Sequence, residues 1–318
     1  MMNSTAVAAT TETLTANLTA CAKINLTLEV KRRREDGYHE IRSLAVGAGL
    51  FDRMWLRSAP AGVKELRCSE PSLNGEANLA ARAARLLVEE TGWEGGWELF
   101  IEKSIPIGGG LGGGSSDAAA ALMLCNRAWS TGVSAERLMQ LAAALGSDVP
   151  LFFRLPCVLL AGRGERVESV RTTWSGWALL VMAGVEASTA EVYARWDDLS
   201  PTLRGDETPH RCASASTAEE FMEHSFNDLE PAIFDVAPQV GRVYQQLWQH
   251  GLGPIRVSGA GSVIYRLFDD HATATRAQQH LRELGIGTRC EVVPVPARFG
   301  PILLEGDYPW KSVKFESN

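Results

Sequence analysis

Apolar and polar residues alternate without interruption along residues 22–30. Every even-numbered position is apolar and every odd-numbered position is polar, with Lys23 and Asn25 on the polar face. A repeat of two residues predicts a β-strand that is half buried, with one apolar face and one polar face. The turn signal Asp36-Gly37 follows, so we expect a second strand to begin near Tyr38.

The rest of the first half alternates between helical and strand-like segments. The predicted helices cover residues 78–91, 117–129 and 134–145, and the predicted strands cover residues 97–103 and 157–161. Asn78 and Ser134 stand where an N-cap residue is expected, and Gly146 ends the third helix.

The pattern begins again after about residue 170. The predicted elements are strands at 177–183 and 289–294, helices at 217–223, 237–250 and 271–284, and a hairpin at 255–265. Interleaved strands and helices in two halves predict an α+β fold with two domains. We expect a disordered Thr- and Ala-rich tail (1–17), an N-terminal domain (18–170) and a C-terminal domain (171–318). The pattern leaves open whether residues 295–318 pack back onto the N-terminal domain.

The composition is that of an ordinary globular protein, with 45% hydrophobic and 22% charged residues among 318. A formal net charge of −7 argues against a broad nucleic-acid surface, which needs clustered Lys and Arg. No segment approaches the roughly 20 apolar residues of a membrane span. Six scattered cysteines without a C-x-x-C motif indicate a reducing compartment. We therefore expect a cytoplasmic protein that does not act on nucleic acid or membrane. We also expect a monomer or weak homodimer with a small-molecule substrate, which the composition itself does not determine.

The most informative segment is Pro106–Ser116, hereafter the glycine loop, with the sequence Pro-Ile-Gly-Gly-Gly-Leu-Gly-Gly-Gly-Ser-Ser. Glycine lets a backbone approach a ligand closely, and the helix that follows presents unpaired N–H groups and a positive dipole end. Together these features predict a phosphate site, in which the Ser115 and Ser116 hydroxyls bind phosphate or a metal ion. The alternative is a plain flexible connection, which so much glycine at a helix entry disfavours.

Two other phosphate-binding motifs fit the glycine loop less well. The Walker pattern requires Gly-Lys-Ser/Thr, and no lysine lies between Lys103 and Lys311. The spacing Gly108-x-Gly110-x-x-Gly113 matches a dinucleotide fingerprint, but the expected acidic residue at a second strand end is missing, because Glu136 lies in a predicted helix. A nicotinamide-dependent oxidoreductase is therefore a remote alternative.

The glycine loop resembles the second motif of the GHMP kinases, Pro-x-x-x-Gly-Leu-Gly-x-Gly-Ser-Ser. Further segments resemble that family in the same order, and most closely its diphosphocytidyl-methylerythritol kinase subfamily. These segments are Ala22–Leu26, Asp36–Glu40, Leu145–Pro150, Asn227–Glu230 and Ser258–Ser262. The resemblance runs from about residue 20 to 267. It implies an N-terminal ATP-binding α/β domain and a ferredoxin-like C-terminal α+β domain, with the active site between them.

What the resemblance implies for chemistry is transfer of the ATP γ-phosphate, with Mg²⁺, to the 2-hydroxyl of a methylerythritol carrying cytidine diphosphate. Asp148 would be the general base and Lys23 its cationic neighbour, because each favours the charged form of the other. The metal ligands stay unknown, with Ser115 or Ser116 possible. The residues implied for ATP are Pro106, Gly108, Gly109, Gly110, Leu111, Gly112, Gly113, Gly114, Ser115, Ser116 and Asn78.

The same resemblance implies a substrate pocket. Asn25 would hydrogen-bond the polyol, Tyr38 and Tyr193 would sandwich the cytosine ring, and His39 would bind the edge of that ring. The residues implied for the substrate are Asn25, Tyr38, His39, Thr189, Tyr193, Gly259 and Gly261. For Asn78, a simple N-cap is the alternative role. The basic run Lys31–Arg34 has the charge of a phosphate clamp, but a charged run beside a turn is more typical of a solvated surface.

The departures from the subfamily are modest. Cys21 replaces a common proline, Ser147 replaces a common alanine, and residues 45–52 are atypical. The last of these lies near the expected substrate cleft, so it affects the details of substrate binding and not the kinase chemistry. A homoserine or mevalonate type of GHMP kinase is the nearest alternative, and a non-catalytic nucleotide-binding module is another. The module is disfavoured because both Lys23 and Asp148 are present.

Overall fold

Two long antiparallel strands organise the N-terminal half. The computed structural model describes residues 15–199, 208–300 and 303–304. Within it, β1 (Thr15–Arg33) pairs with β2 (His39–Ala59) along almost its whole length. The strand therefore begins at Thr15, where we had predicted a disordered tail to residue 17, and the rest of that tail lies outside the described residues. The turn between the strands is the predicted one.

Both faces of β1 are buried, so the prediction of a half-buried strand is wrong. Lys23, Asn25 and Thr27, on the polar face, are at most 5% exposed. These side chains bond to one another and to neighbouring strands, as in the hydrogen bond from the Asn25 amide nitrogen to the Ser43 hydroxyl (2.8 Å). Polar groups can be buried when they are hydrogen-bonded, and alternation alone does not indicate whether a polar face meets solvent or an internal network.

The remaining elements of the N-terminal half complete a mixed sheet with helices. They are β3 (Lys64–Cys68), α1 (Leu79–Thr91), β4 (Gly96–Glu102), α2 (Gly113–Ala128), α3 (Ala135–Leu145), β5 (Cys157–Gly162) and β6 (Arg166–Ser169). Short 3₁₀ turns cover Pro71–Leu73 and Pro150–Phe153. β2 pairs with β4, β4 with β3, and β5 with both β2 and β6. α2 packs on β1 and β2, and α1 and α3 pack on α2. α1 and α2 contribute the buried residues Ala80, Ala83, Ala119 and Ala120 to the core.

The C-terminal half contains a second, four-stranded antiparallel sheet. The helices and strands of this half are β7 (Gly176–Met182), α4 (Thr189–Asp198), α5 (Thr208–Ala213), α6 (Ala218–His224), β8 (Phe226–Asn227), α7 (Glu230–Val236), α8 (Pro238–Gln249), β9 (Arg256–Val257), β10 (Ile264–Phe268), α9 (His271–Leu284), β11 (Arg289–Val295) and β12 (Leu303–Leu304). The order in this sheet is β11-β7-β10-β9. α9 has the predicted bounds, whereas α4, α5 and α7 were not predicted.

The second half also contributes strands to the first sheet. β8 pairs in parallel with β1 at Thr27 and Leu28, and β12 pairs with β1 at Ala16 and Asn17. Between them, the backbone N–H of Ala297 donates to Gly47 (2.8 Å) and that of Gly300 to Thr19 (3.1 Å). Residues 297–300 and 303–304 therefore lie against the N-terminal domain. In the described ranges, none of the helices combines the length and apolar character of a membrane span.

Candidate active site

A cleft of about 1100 Å³ lies between the two halves, and the glycine loop forms one of its walls. The loop connects β4 to α2, and α2 begins at Gly113, four residues before the predicted start. Gly112 serves as its N-cap in a left-handed conformation that glycine adopts readily, which accounts for the earlier start. The first N–H groups of α2 therefore lie within the glycine loop, where residues 112–115 line the cleft. An anion would meet both the free amides and the positive end of the helix dipole.

The two loop serines point in different directions. Ser115 lines the cleft, as predicted. Ser116 is fully buried, and its hydroxyl donates to the carbonyl oxygen of Cys21 (2.7 Å). Successive residues on a helix are about 100° apart, which turns Ser116 away from the direction of Ser115. The assignment of Ser116 to phosphate or metal is corrected to a tie between α2 and β1.

Gly110 is the tightest position of the glycine loop. Its φ is +74°, and a Cβ at this position would lie 1.9 Å from the carbonyl oxygen of Ser258. The Ser258 hydroxyl donates to the carbonyl of Gly110 (3.0 Å), and the N–H of Val263 donates to that of Gly109 (3.1 Å). The glycine loop is thus held against the turn formed by residues 258–262, hereafter the 258–262 turn.

The predicted catalytic pair meets at the floor of the cleft. Lys23 Nζ lies 3.7 Å from Asp148 Oδ2, with the lysine side chain 5% exposed and the aspartate 38% exposed. Asp148 lies on the short connection between α3 and the 3₁₀ turn Pro150–Phe153. Burial lowers the pKa of Lys23, and the nearby Asp148 carboxylate only partly offsets that effect. The stabilisation of the lysine charge by Asp148, which we expected, therefore affects the pKa of Lys23 less than burial does.

Asn25 orients the lysine. Its side-chain oxygen accepts from Lys23 Nζ while its amide nitrogen donates to Ser43. The N–H of Lys23 donates to the carbonyl of Leu111 (2.9 Å), which ties the strand to the glycine loop. Asn25 lines the cleft, and its contact with a polyol remains a prediction.

Aromatic residues form another part of the cleft lining. The rings of His39 and Tyr193 stack at 5.0 Å between centroids, and His39 Nε2 lies 2.7 Å from the Asp197 carboxylate. Tyr38 is 51% exposed and lies under the guanidinium group of Arg163. Thr189 also lines the cleft. A flat heterocycle would find aromatic faces here, but Tyr193 contacts His39, so a sandwich between Tyr38 and Tyr193 is still a prediction.

The 258–262 turn contributes one of its two predicted glycines to the cleft. Gly259 has a φ of +56°, and a Cβ there would lie 3.1 Å from Lys23 Nζ and 3.3 Å from Asn25 Oδ1. A Cβ on Gly261 would instead face Ile233, at 3.1 Å. Among the described residues that line the cleft, this turn contributes Gly259 and Ala260.

Near the start of α1, Asn78 is an N-cap residue. Its side-chain oxygen accepts from the N–H of Ala80 (2.9 Å), and its amide nitrogen donates to the carbonyl of Leu73 (2.9 Å). Asn78 also lines the cleft, as Pro106, Gly108 and Leu111 do. Its predicted contact with adenine remains a prediction beside the observed capping role.

A buried charged triad under the glycine loop was not predicted. Lys103 Nζ bonds to Asp52 Oδ2 (2.5 Å) and to Asp117 Oδ2 (2.7 Å), and both carboxylates are nearly inaccessible. Burial raises the pKa of Asp117, Lys103 opposes the shift, and Asp52 adds to it. Lys103 and Asp117 line the cleft. The three residues are far apart in sequence and lack a shared motif, so only the fold brings them together.

Metal-binding capacity near the glycine loop is limited. In the part of the chain that the structure describes, no group of three or more His, Cys, Asp or Glu side chains could hold a metal ion. Two oxygens at the loop are nevertheless suitable ligands: the Ser115 hydroxyl, and Asp117 Oδ1, which has no hydrogen-bond partner among the described residues. Such a site fits an ion held mainly by a bound phosphate ester.

Comparison with protein families and known sequences gives consistent matches. Residues 78–154 match the family described as GHMP kinases N terminal domain, and residues 213–287 match GHMP kinases C terminal. The 4-diphosphocytidyl-2-C-methyl-D-erythritol kinase of Syntrophotalea carbinolica is 39% identical over 263 residues, 82% of this chain and 92% of the relative. The protein of the same name from Halorhodospira halophila is 39% identical over 266 residues, 82% of this chain and 88% of the relative.

Solved structures extend the comparison to the fold. A crystal structure of 4-(cytidine 5'-diphospho)-2C-methyl-D-erythritol kinase superposes with a TM-score of 0.73 and 32% identity, covering 92% of this chain and all of that one. A homoserine kinase from Cytophaga hutchinsonii superposes with a TM-score of 0.67 at 16% identity, covering 94% of this chain and all of that one. This second similarity concerns the fold alone.

Proposed function

Because the chain belongs to the 4-diphosphocytidyl-2-C-methyl-D-erythritol kinases of the GHMP family, we propose that it phosphorylates the 2-hydroxyl of that cytidine-bearing alcohol. It is an ATP-dependent kinase, and the reaction belongs to the non-mevalonate route to isoprenoid precursors. The observation that carries the residue assignment is the Lys23–Asp148 pair, 3.7 Å apart beside the glycine loop.

Asp148 is the general base of the proposed reaction. Its carboxylate accepts the proton of the substrate hydroxyl while that oxygen forms a bond to the γ-phosphorus and the bond from phosphorus to the β–γ bridging oxygen breaks, releasing ADP. Such proton transfer is typically worth about 10²–10⁴ in rate. Lys23, held by Asn25, adds positive charge where the transferred phosphoryl group is most negative.

The glycine loop binds the phosphates of ATP in this proposal. The N–H groups at the start of α2 and the Ser115 hydroxyl are the donors, and Asn78 and Leu111 also line the cleft. Ser115 and Asp117 would hold Mg²⁺, which neutralises phosphate charge when bound. We assign Tyr38, His39, Thr189 and Tyr193 to the cytidine end of the substrate.

Two alternatives have different experimental signatures. A homoserine or mevalonate type of kinase would share the glycine loop and the Lys23–Asp148 pair, but the aromatic part of the cleft would have no base to stack on. An oxidoreductase requires a parallel βαβ unit around the glycine loop. Among the described strands, however, β4, which precedes the loop, pairs in parallel only with β3, the strand before it. Six buried free cysteines support a cytoplasmic setting.

The deciding experiment measures ADP release with ATP and Mg²⁺, offering 4-diphosphocytidyl-2-C-methyl-D-erythritol, homoserine and mevalonate in parallel. We expect turnover with the first acceptor only. Turnover with another alcohol would agree with the assignment of the catalytic pair but would contradict the assignment of a cytidine pocket. ATP binding without turnover on any acceptor would favour the non-catalytic module, and tight NADH binding without ATP binding would contradict the kinase assignment.

A further inference from the structure

The segment Asn227–Glu230, hereafter the clamp, holds two parts of the fold together with its side chains. Asp228 Oδ2 accepts from the N–H of Val30 (3.1 Å), so the clamp is bonded to β1. Glu230 Oε1 accepts from the N–H of Val257 (2.9 Å), so it is also bonded to β9. The clamp therefore connects the strand that carries Lys23 to the strand that leads into the 258–262 turn.

Asn227 makes the central contacts of the clamp. Its amide nitrogen donates to the carbonyl oxygens of Val257 (2.9 Å) and Gly259 (2.7 Å), and its side-chain oxygen accepts from the N–H of Leu229 (2.9 Å). The residue is 6% exposed. Both amide hydrogens are therefore used, one on each side of Ser258. Of the common side chains, only a primary amide of this length supplies two donors and one acceptor in such a plane.

The two carbonyls that Asn227 holds belong to the backbone on either side of Ser258. The Ser258 hydroxyl accepts from the N–H of Asn25 (3.3 Å) and donates to the carbonyl of Gly110. Gly259 lies against Lys23, since a Cβ added to Gly259 would lie only 3.1 Å from Lys23 Nζ. A shift of this backbone would therefore change the positions of the glycine loop and of the Lys23 side chain together.

We propose that Asn227 is a positioning residue for phosphoryl transfer: by holding the carbonyls of Val257 and Gly259, it fixes the 258–262 turn against the glycine loop and Lys23. Asn227 itself does not line the cleft among the described residues. Its effect on the reaction rests on the proposed kinase activity, whereas its effect on ATP affinity does not.

Replacing Asn227 by aspartate tests this proposal most sharply. Asn227→Asp keeps the shape and the acceptor for Leu229 but places a carboxylate against two carbonyl oxygens. We expect kcat near pH 8 to fall by roughly 10-fold or more, the effect of losing a well-placed interaction of about 1.4 kcal/mol. As the pH falls toward 6, the buried carboxyl gains a proton and can donate to one carbonyl, so part of the activity should return. The wild type should lack this pH-dependent recovery.

Asn126→Asp is the matched control. Asn126 also organises a loop: it donates to the carbonyl of Val133 (3.0 Å) and accepts from the N–H of the same residue (3.0 Å), at the far end of α2. We expect this variant to lose thermal stability but to keep the wild-type kcat and pH profile. ATP affinity, titrated calorimetrically without acceptor, should weaken several-fold in Asn227→Asp and Asn227→Ser and stay unchanged in Asn126→Asp.

Each result has a defined meaning. If kcat and ATP affinity of both Asn227 variants stay within twofold of the wild type, or Asn126→Asp reproduces their losses, the positioning role is refuted. Unfolding of both Asn227 variants would also refute it, because the residue would then act in folding. If the wild type binds ATP but does not phosphorylate the cytidine-bearing substrate, the proposed function fails, and the affinity comparison still decides the role of Asn227.

Discussion

Gly110→Ala should separate the glycine loop from the 258–262 turn. The added Cβ would lie 1.9 Å from the carbonyl oxygen of Ser258, so the two backbones must move apart by about 1 Å or more before the contact is ordinary. Alanine at a φ of +74° adds roughly 1–2 kcal/mol of conformational strain. The movement also removes the hydrogen bonds that Ser258 and Val263 make to the glycine loop, each worth about 0.5–1.5 kcal/mol.

These effects together predict a loss of about 2–5 kcal/mol in the free energy of unfolding. At about 2–4 °C per kcal/mol, Tm should fall by roughly 4–20 °C. We also expect ATP affinity to fall by about 10-fold or more, because a displacement of 1 Å weakens aligned N–H donors. Differential scanning fluorimetry with and without ATP measures both effects on the same sample.

Gly114→Ala is the matched control within the same loop. Gly114 lies in the first turn of α2, and the nearest atom to an added Cβ is Leu79 Cδ1, at 4.0 Å. Alanine is favoured over glycine in a helix by up to about 1 kcal/mol, so Tm should stay level or rise slightly. A Gly110→Ala protein as stable as Gly114→Ala would refute the close packing of the two backbones.

Three further predictions concern the charged and aromatic groups of the cleft. Asp148→Asn should lower kcat by at least about 100-fold while ATP affinity and Tm stay near wild type; equal losses of affinity and stability would argue against a general base. Tyr193→Ala should raise KM for the cytidine-bearing substrate roughly 10-fold, because a base-stacking surface is lost, while KM for ATP stays unchanged. Equal rises in the two KM values would contradict stacking of the cytosine on Tyr193. Burial raises the pKa of Asp117 to about 7, whereas an aspartate in the unfolded chain titrates at about 4. The protonated carboxyl therefore stabilises the fold fully below about pH 4, and this stabilisation is lost as the pH rises through 7. Asp117→Asn should therefore flatten the decline of Tm between pH 5 and 8, and an unchanged slope would contradict the raised pKa.

Local sequence patterns predicted most of the fold. The Asn78 and Ser134 caps and the bounds of α9 depend on neighbouring residues in the chain, and each was recognisable. The short helices α4 and α7 were missed because they span fewer than three full turns, too short for a repeat to be recognised. The burial of the polar face of β1 was missed because tertiary contacts, not the alternation itself, determine whether a polar face meets water.

Part of the candidate site could also be predicted from the sequence, and part could not. Lys23, Asp148 and the glycine loop have motif signals, and the fold brings them together in one cleft. The orientation of Ser116 was missed because it depends on where α2 begins, and Gly112 shifts that start toward the N-terminus. The Lys103–Asp52–Asp117 triad and the Asp197 partner of His39 arise from side chains distant in sequence. For such groups only the three-dimensional structure supplies the proximity.

The two strands that return from the C-terminal half have a consequence for engineering. Because β8 and β12 complete the sheet around β1, the halves cannot be exchanged between relatives as cassettes joined near residue 170. A fragment ending there would leave β1 with unpaired backbone groups along an open edge, which promotes aggregation. Chimaeras that preserve this sheet must transfer the returning segments together with the N-terminal half, so the smallest exchangeable unit is discontinuous in sequence.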